Sequence, residues 1–177
     1  MTLYAIVSGT FAPMLTSLSA ILDKAAQETR AKGGDPDALL AKQLAPDMFP
    51  LVKQVQIAAD HAKGAAARLT GRTPPVFEDT EATLEALKVR IAKTVAYVKE
   101  ATPEMFAGAE TRAIAFQIFG PMRFEASGLE YLRDWALPNF YFHVVTAYDI
   151  LRREGVQIGK QDYLAHAAYA VKTGAAA

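Results

Sequence analysis

The sequence contains no cysteine among its 177 residues. This absence excludes a disulfide framework, a thiolate metal site and a cysteine nucleophile, and it fits a protein of a reducing compartment. Net charge is absent too, because 19 lysines and arginines balance 19 aspartates and glutamates. A chain without net charge has no field that draws in nucleic acid, so we expect no nucleic-acid partner.

Charge is also missing from the N-terminal segment, where the first charged residue is Asp23. A signal peptide needs a basic region ahead of its apolar stretch, and this segment has none. Serines and threonines interrupt the continuous apolarity that a membrane span needs. The apolar residues recur every three or four positions, as on one side of an amphipathic helix. We therefore expect a cytoplasmic protein that does not enter a membrane.

Apolar periodicity of this kind recurs along the chain and predicts four long helices. Pro13 is expected to bend the first helix, because its ring removes one backbone hydrogen bond. Gly71 is expected to end the second helix, and Ser127 to begin the last. The predicted helices span approximately residues 2–30, 46–71, from 79 or 80 to about 98, and 127–155.

Between the third and fourth helices, apolar residues alternate on both sides of a Gly120-Pro121 turn. Alternation around a turn predicts a short β-hairpin over about 114–124. The resulting fold class is all-α: a four-helix bundle with a short β-hairpin inserted before the last long helix. We expect one domain over residues 1–165, followed by a tail at 166–177 without clear periodicity.

The three histidines are the first candidates for chemistry. At 100° per residue, His143 falls on the core side of the last helix, with Asn139 one turn earlier on the same flank and able to hydrogen-bond its ring. His61 occupies a boundary position on the second helix, shared with Gln54 and Arg68. No spacing ties His166 to the others. His143 is either a core histidine satisfied by hydrogen bonds or part of a ligand or metal site.

Two further side chains are candidates for assisting chemistry. Glu81 lies in the first turn of the predicted third helix, where it either favours the helix dipole or acts in catalysis. Tyr148 lies on the flank of the last helix opposite Asn139. Glu81 and Tyr148 are therefore both candidates for a catalytic role beside His143.

The last helix is apolar on nearly all sides. Trp135, Phe142 and Val145 lie on the face opposite Phe140, so something must cover them. The hairpin and tail, or a second subunit, are the available covers. We predict partial cover within the chain together with a homodimer through this face.

Three blocks of sequence resemble a bacterial family of unknown function whose members are full-length single-domain proteins of this size. The resemblance extends over about residues 3–164. That family is similar to the DinB and YfiT-like four-helix bundles, a group described as metal-dependent enzymes that includes thiol-dependent transferases and isomerases. The blocks are LAPDMFPLVKQVQIAADHAKGAAARL, FEDTEATLEALKVRIAKT and LPNFYFHVVTAYDILRREGVQIGKQDYL.

The resemblance implies a metal site built from one histidine of the second helix and an H-x-x-x-H pair on the last. Here His143 matches the first member of that pair, Ala147 replaces the second, and His61 stands for the helix-two ligand. The three-histidine site is therefore incomplete, and we expect no metal. If a divalent ion such as Zn, Ni or Mn binds at all, His143 and His61 are its expected ligands.

These observations lead to two hypotheses about function. The first is a small-molecule-binding or structural bundle with a pocket beside His143, formed by His143, Asn139 and His61, and a degenerate metal site. The alternative is a divalent-metal-dependent, thiol-transferase-like enzyme that uses His143 and His61, assisted by Glu81 or Tyr148.

Overall fold

The computed structural model describes residues 1–118 and 120–170. Four long helices form a bundle and a two-stranded antiparallel sheet precedes the last of them, so the predicted fold class is confirmed. The first helix packs against the third, and the second packs against both the third and the fourth. The long helices are α1 (Leu3–Ala31), α2 (Leu51–Thr70), α3 (Leu84–Lys99) and α4 (Leu137–Arg153).

Helix α1 begins where predicted, because the side chain of Thr2 accepts a hydrogen bond from the amide of Ala5. It contains Pro13 without ending there. By length and composition α1 is apolar enough to cross a membrane, the one described helix of which this is true. Half of its most apolar window is buried inside the protein, where its leucines fill the core.

Helix α2 begins at Leu51, later than the predicted start at residue 46 or 47. Pro50 is its N-cap, and the residue before a proline is disfavoured in the helical conformation, so Phe49 stays outside. The end was predicted correctly, since Gly71 closes the helix with a left-handed φ of 71°. The alanines and the glycine on its core side are buried, which allows neighbouring helices to approach closely.

Helix α3 also begins later than predicted, at Leu84 and not at residue 79 or 80. Thr83 is the N-cap, and its side chain accepts from the amide of Ala86 at 3.0 Å. Asp79 and Glu81 do not cap this helix, because their carboxylates are paired with the guanidinium of Arg90. The prediction that Glu81 lies in the first helical turn is therefore wrong.

The hairpin consists of β1 (Ala113–Gln117) and β2 (Arg123–Ser127). Phe116 pairs with Phe124 across the strands, and their rings stack with centroids 5.1 Å apart. Both rings also contact the Trp135 indole, at 5.9 and 5.2 Å. The hairpin thus covers one end of the last helix.

The last helix is entered through an irregular stretch. Ser127 and Glu130 form a capping box that starts a short turn, Gly128–Glu130, as the sequence predicts for Ser127. A π-helical segment, Tyr131–Ala136, follows and leads directly into α4. Pro138 lacks an amide hydrogen, and the bond from the amide of Leu137 to the carbonyl of Leu132 spans five residues.

The segment after α4 is more ordered than its lack of periodicity suggested. Val156 and Ile158 are buried against the core, and a short helix α5 (Lys160–Tyr163) packs on α1. A salt bridge from Lys24 to Asp162 spans 3.3 Å. The predicted tail begins within the 3-10 helix Ala165–Ala170, and residues 171–177 lie outside the described residues. Two other 3-10 helices, Pro36–Ala41 and Pro103–Phe106, lie in the connections.

Candidate functional site

The packing of α2 against α4 brings two of the three histidines together. His61 on α2 and His143 on α4 have nearly parallel rings, 16° apart, with centroids 5.9 Å from each other. His143 is 9% exposed, whereas His61 is half-buried at the edge of the bundle. The pair can therefore be approached from the His61 side.

Gln54 fixes the orientation and the tautomer of His143. The Nδ1 of His143 lies 2.7 Å from the Oε1 of Gln54, while the Nε2 of Gln54 donates to the carbonyl of Phe49 at 2.9 Å. Since the amide oxygen can only accept, Nδ1 of His143 carries the hydrogen and donates it. The Nε2 of His143 is left unprotonated, with its lone pair available to a ligand.

Both imidazoles are neutral at physiological pH. Burial lowers the pKa of His143 to about 4. Burial also lowers the pKa of His61 to about 4, and the proximity of His143 and Arg68 contributes, while Asp60 opposes the shift. Neutral imidazole is the form that accepts hydrogen bonds and binds metals.

The sequence predicted that Asn139 could hydrogen-bond the ring of His143, but Asn139 bonds elsewhere. Its side-chain amide donates to the carbonyl of Trp135, within the π-helical segment, at 2.8 Å. The hydrogen-bond partner of the His143 ring is Gln54. Asn139 is half-buried, and its role in ligand binding stays a prediction.

Tyr148 and His166 are engaged elsewhere. The ring of Tyr148 meets Tyr163 edge-on at 6.3 Å and lines a cleft of about 250 Å³ with Lys160. The Nδ1 of His166 lies 3.4 Å from the Oγ of Ser17 on α1. The contacts of both side chains therefore place them with the C-terminal segment and not with the histidine pair.

Glu81 belongs to a separate charged cluster on α2 and α3. Arg90, only 2% exposed, reaches Asp60 at 2.8 Å and both Asp79 and Glu81 at 3.0 Å. The side-chain amide of Gln56 also donates to Glu81 at 2.7 Å. Burial by itself raises the pKa of Glu81, but the hydrogen bonds from Gln56 and Arg90 hold it below its usual value. Its carboxylate stays ionised and occupied.

The described residues do not complete a three-ligand metal site. Within residues 1–118 and 120–170, no group of three histidine, cysteine, aspartate or glutamate side chains is placed to hold an ion. Ala147, one turn after His143, is fully buried in the core. The two imidazoles are the donors that the chain supplies at this position.

Several surface clefts lie away from the histidine pair. Five of them have linings that do not include His143 or His61. One of about 510 Å³ lies beside the charged cluster and is lined by Phe77, Glu81 and Arg90 among others. The pocket that the sequence predicts beside His143 is not one of these five and stays a prediction.

The predicted apolar face of the last helix is covered unevenly. Trp135 is packed under the hairpin, whereas Phe142 is 56% and Val145 39% exposed. The Phe142 ring also meets the His143 ring edge-on, with centroids 5.2 Å apart. The hairpin thus covers one end of this face, and the homodimer through the remainder stays a prediction.

Sequence reasoning placed Gln54 and Arg68 beside His61 without giving them a role, and it missed Arg90. Residues 54, 61 and 68 are seven apart and share one side of α2. Arg68 stacks on Phe116 of the hairpin, with its guanidinium carbon 4.3 Å from the ring centroid. No local pattern marks Arg90, since its acidic partners are distributed over a helix and a loop.

Comparison with solved structures gives a neighbour of high similarity. A crystal structure at 1.83 Å resolution of a DinB family member protein from Shewanella denitrificans matches with a TM-score of 0.85. The two chains are 43% identical, over 92% of this chain and 91% of the other. No curated protein matches this chain with significance.

Comparison with family models assigns nearly the whole chain. The model described as Domain of unknown function (DUF1993) matches residues 3–164, which include all four long helices and the hairpin. The resemblance expected from the three sequence blocks is thereby confirmed, together with the DinB-like fold. This chain belongs to the DUF1993 family.

Proposed function

We propose that this protein binds a small molecule at the His61–His143 pair, with imidazole nitrogens as hydrogen-bond acceptors. The observation that supports the proposal is the chain of hydrogen bonds from His143 through Gln54 to the carbonyl of Phe49. This chain holds the ring in one tautomer and directs its lone pair away from Gln54. Such fixed orientation is the arrangement of side chains that recognise ligands.

The Nε2 of His143 is the atom that a ligand can use. Among residues 1–118 and 120–170 it has no hydrogen-bond partner, and it is not one of the side-chain atoms that are both fully buried and unpartnered. It therefore keeps contact with solvent, and a ligand hydroxyl, thiol or amine can donate to it from the side of the half-buried His61.

A second candidate function is the divalent-metal-dependent, thiol-transferase-like enzyme. The observation that favours it is the same Gln54 contact, because metal-binding histidines commonly donate their other ring hydrogen to an oxygen. The described donor set does not fit the implied three-histidine site, since Ala147 occupies the third position. We therefore assign no catalytic step to a metal, to Glu81 or to Tyr148.

The test is a screen that observes the histidines directly. A library of small neutral and charged compounds is added to the protein, and the ring-proton NMR signals of His61, His143 and His166 are followed. We expect compounds that shift the first two signals and leave His166 unchanged, and we expect His143→Gln to abolish these shifts. A screen without such compounds contradicts the proposal.

The metal alternative has a separate test. Protein purified without a histidine tag is assayed for bound metal and titrated with zinc and nickel, with His143→Gln as the matched variant. The small-molecule proposal predicts no metal at one equivalent per chain. Stoichiometric metal that is lost in His143→Gln supports the enzyme alternative instead.

A further inference from the structure

Arg68 places a positive charge next to the histidine pair. It lies on α2 seven residues after His61, and helical side chains lean toward the N-terminus of their helix. A Cβ atom added to Gly64 would collide with the Nη1 of Arg68, so the guanidinium lies directly over this glycine. Gly64 is one turn after His61, and the charge of Arg68 is close enough to contribute to the lowered pKa of the His61 imidazole.

Three elements hold this guanidinium in place. Its Nη1 donates to the hydroxyl of Tyr131 at 3.2 Å, and its carbon lies 4.3 Å from the ring centroid of Phe116. Tyr131 is completely buried, so its hydroxyl is a fixed support. Helix α2, the hairpin and the π-helical segment therefore combine to orient one arginine, with a glycine making the room.

Most N–H groups of Arg68 have no hydrogen-bond partner in the part of the chain that the structure describes. A guanidinium has five N–H donors, and Tyr131 accepts from one of them. Across the described ranges 1–118 and 120–170, no carboxylate forms an ion pair with Arg68. Asp60, the carboxylate adjacent to His61 in sequence, is taken by Arg90 at 2.8 Å and Lys63 at 2.9 Å.

We propose that the molecule bound at the histidine pair carries an oxyanion, a carboxylate or a phosphate, that the free N–H groups of Arg68 bind. A hydroxyl, thiol or amino group of the same molecule donates to the Nε2 of His143. A planar guanidinium matches the two oxygens of such a group. This inference rests on the proposed function and specifies its ligand class.

The experiment compares two probes that differ only in charge. 3-Hydroxybutyrate and its neutral amide, 3-hydroxybutyramide, are titrated into the protein at constant ionic strength, and the ring-proton signals of His61 and His143 report binding. We expect the acid to bind about tenfold or more tightly than the amide, as a charge-assisted hydrogen bond predicts. The Arg68→Gln variant is expected to bind the acid only as weakly as the unaltered protein binds the amide.

Inorganic phosphate is the third probe and separates the two sources of the oxyanion. Phosphate binding that exceeds that of the acid and is lost in Arg68→Gln assigns the site to phosphorylated molecules. Acid binding without phosphate binding assigns it to carboxylic acids. The matched control is Arg123→Gln on the hairpin, an exposed arginine paired with Glu125 at 2.8 Å, which is expected to leave every affinity unchanged.

Equal binding of acid and amide by the unaltered protein overturns the inference, whether or not Arg68→Gln folds. So does acid binding that is unchanged in a folded Arg68→Gln variant. In both cases the histidine signals still shift, and the proposed function stands. If neither these probes nor any compound of the screen shifts them, both proposals are wrong.

Discussion

Helix α2 contributes to two partly buried polar regions, and the two regions differ in how charge is compensated on burial. On one side, Arg90 is surrounded by Asp60, Asp79 and Glu81, and its charge is neutralised by ion pairs. On the other, His61 and His143 lose their charge altogether, because burial lowers the pKa of each to about 4. Ion pairing occupies the carboxylates and the two terminal nitrogens of Arg90, although the Nε of Arg90 and the Oε1 of Gln56 are buried without a partner in the described part of the chain. Deprotonation leaves lone pairs available on the imidazoles. The histidine side is therefore the better candidate for binding.

The largest effect is expected where ion pairing is broken. Arg90→Leu leaves the largely buried carboxylate of Glu81 without its cation, whereas Asp60 and Asp79 are partly exposed and keep Lys63 and Lys53 as partners. We expect the change to lower the free energy of unfolding by about 3 kcal/mol. Urea denaturation at pH 7 measures this. The exposed ion pair of Arg123 provides the control, since Arg123→Leu is expected to cost less than about 0.5 kcal/mol. If both variants lost a similar free energy of unfolding, the Arg90 cluster would not contribute more to stability than an exposed ion pair.

Acidification tests the region of His61 and His143. Each of these two histidines has a pKa of about 4 in the folded protein against about 6.5 in the unfolded chain. Between these pH values the unfolded chain binds more protons than the folded protein. Stability from the neutral rings is complete above pH 6.5 and is lost as the pH falls toward 4. We expect a loss of about 2 kcal/mol for each ring by pH 5.

The measurement is urea denaturation from pH 7 to pH 5. The double variant His61→Gln and His143→Gln is expected to lose less stability over this interval than the unaltered protein. Parallel pH profiles for the two proteins would contradict the assignment of neutral rings.

Placing a charged partner next to the histidine pair, as in the Arg90 cluster, is expected to have an intermediate effect. Gln54→Glu places a carboxylate at the atom that now accepts from the Nδ1 of His143. An opposite charge at this distance is expected to raise the pKa of His143 by about 2 units from its present value. An NMR titration of the ring signals reads this directly. Gln157→Glu, on an exposed residue, is the control and leaves the titration unchanged.

The smallest effect on stability is expected at Phe142, which borders the histidine region from outside. Its ring shields one edge of His143 but is 56% exposed, so Phe142→Ser is expected to change the free energy of unfolding by less than about 0.5 kcal/mol. If this face forms the predicted homodimer, the same variant makes the protein monomeric in sedimentation velocity. Val76→Ser, at a residue 89% exposed, is the control for surface changes. A monomeric unaltered protein contradicts the dimer.

The helices were predictable because each buries one apolar stripe, and a stripe is visible in a single sequence. Their first turns were harder, since Pro50 and the pairing of Asp79 with Arg90 move the starts of α2 and α3. The core-side position of His143 followed from helical geometry alone. Its partner Gln54, 89 residues earlier, depends on how α2 and α4 are aligned, which no local pattern encodes.

The π-helical segment Tyr131–Ala136 sets the angular phase between the two halves of the last helix. A π-turn accommodates about one more residue than an α-turn, so deleting one residue there would restore regular geometry and rotate the preceding side chains by about 100° relative to α4. Tyr131 would leave the guanidinium of Arg68, while His143 would keep its place beside Gln54. One residue of chain length thus controls whether Tyr131 supports the arginine beside the histidine pair.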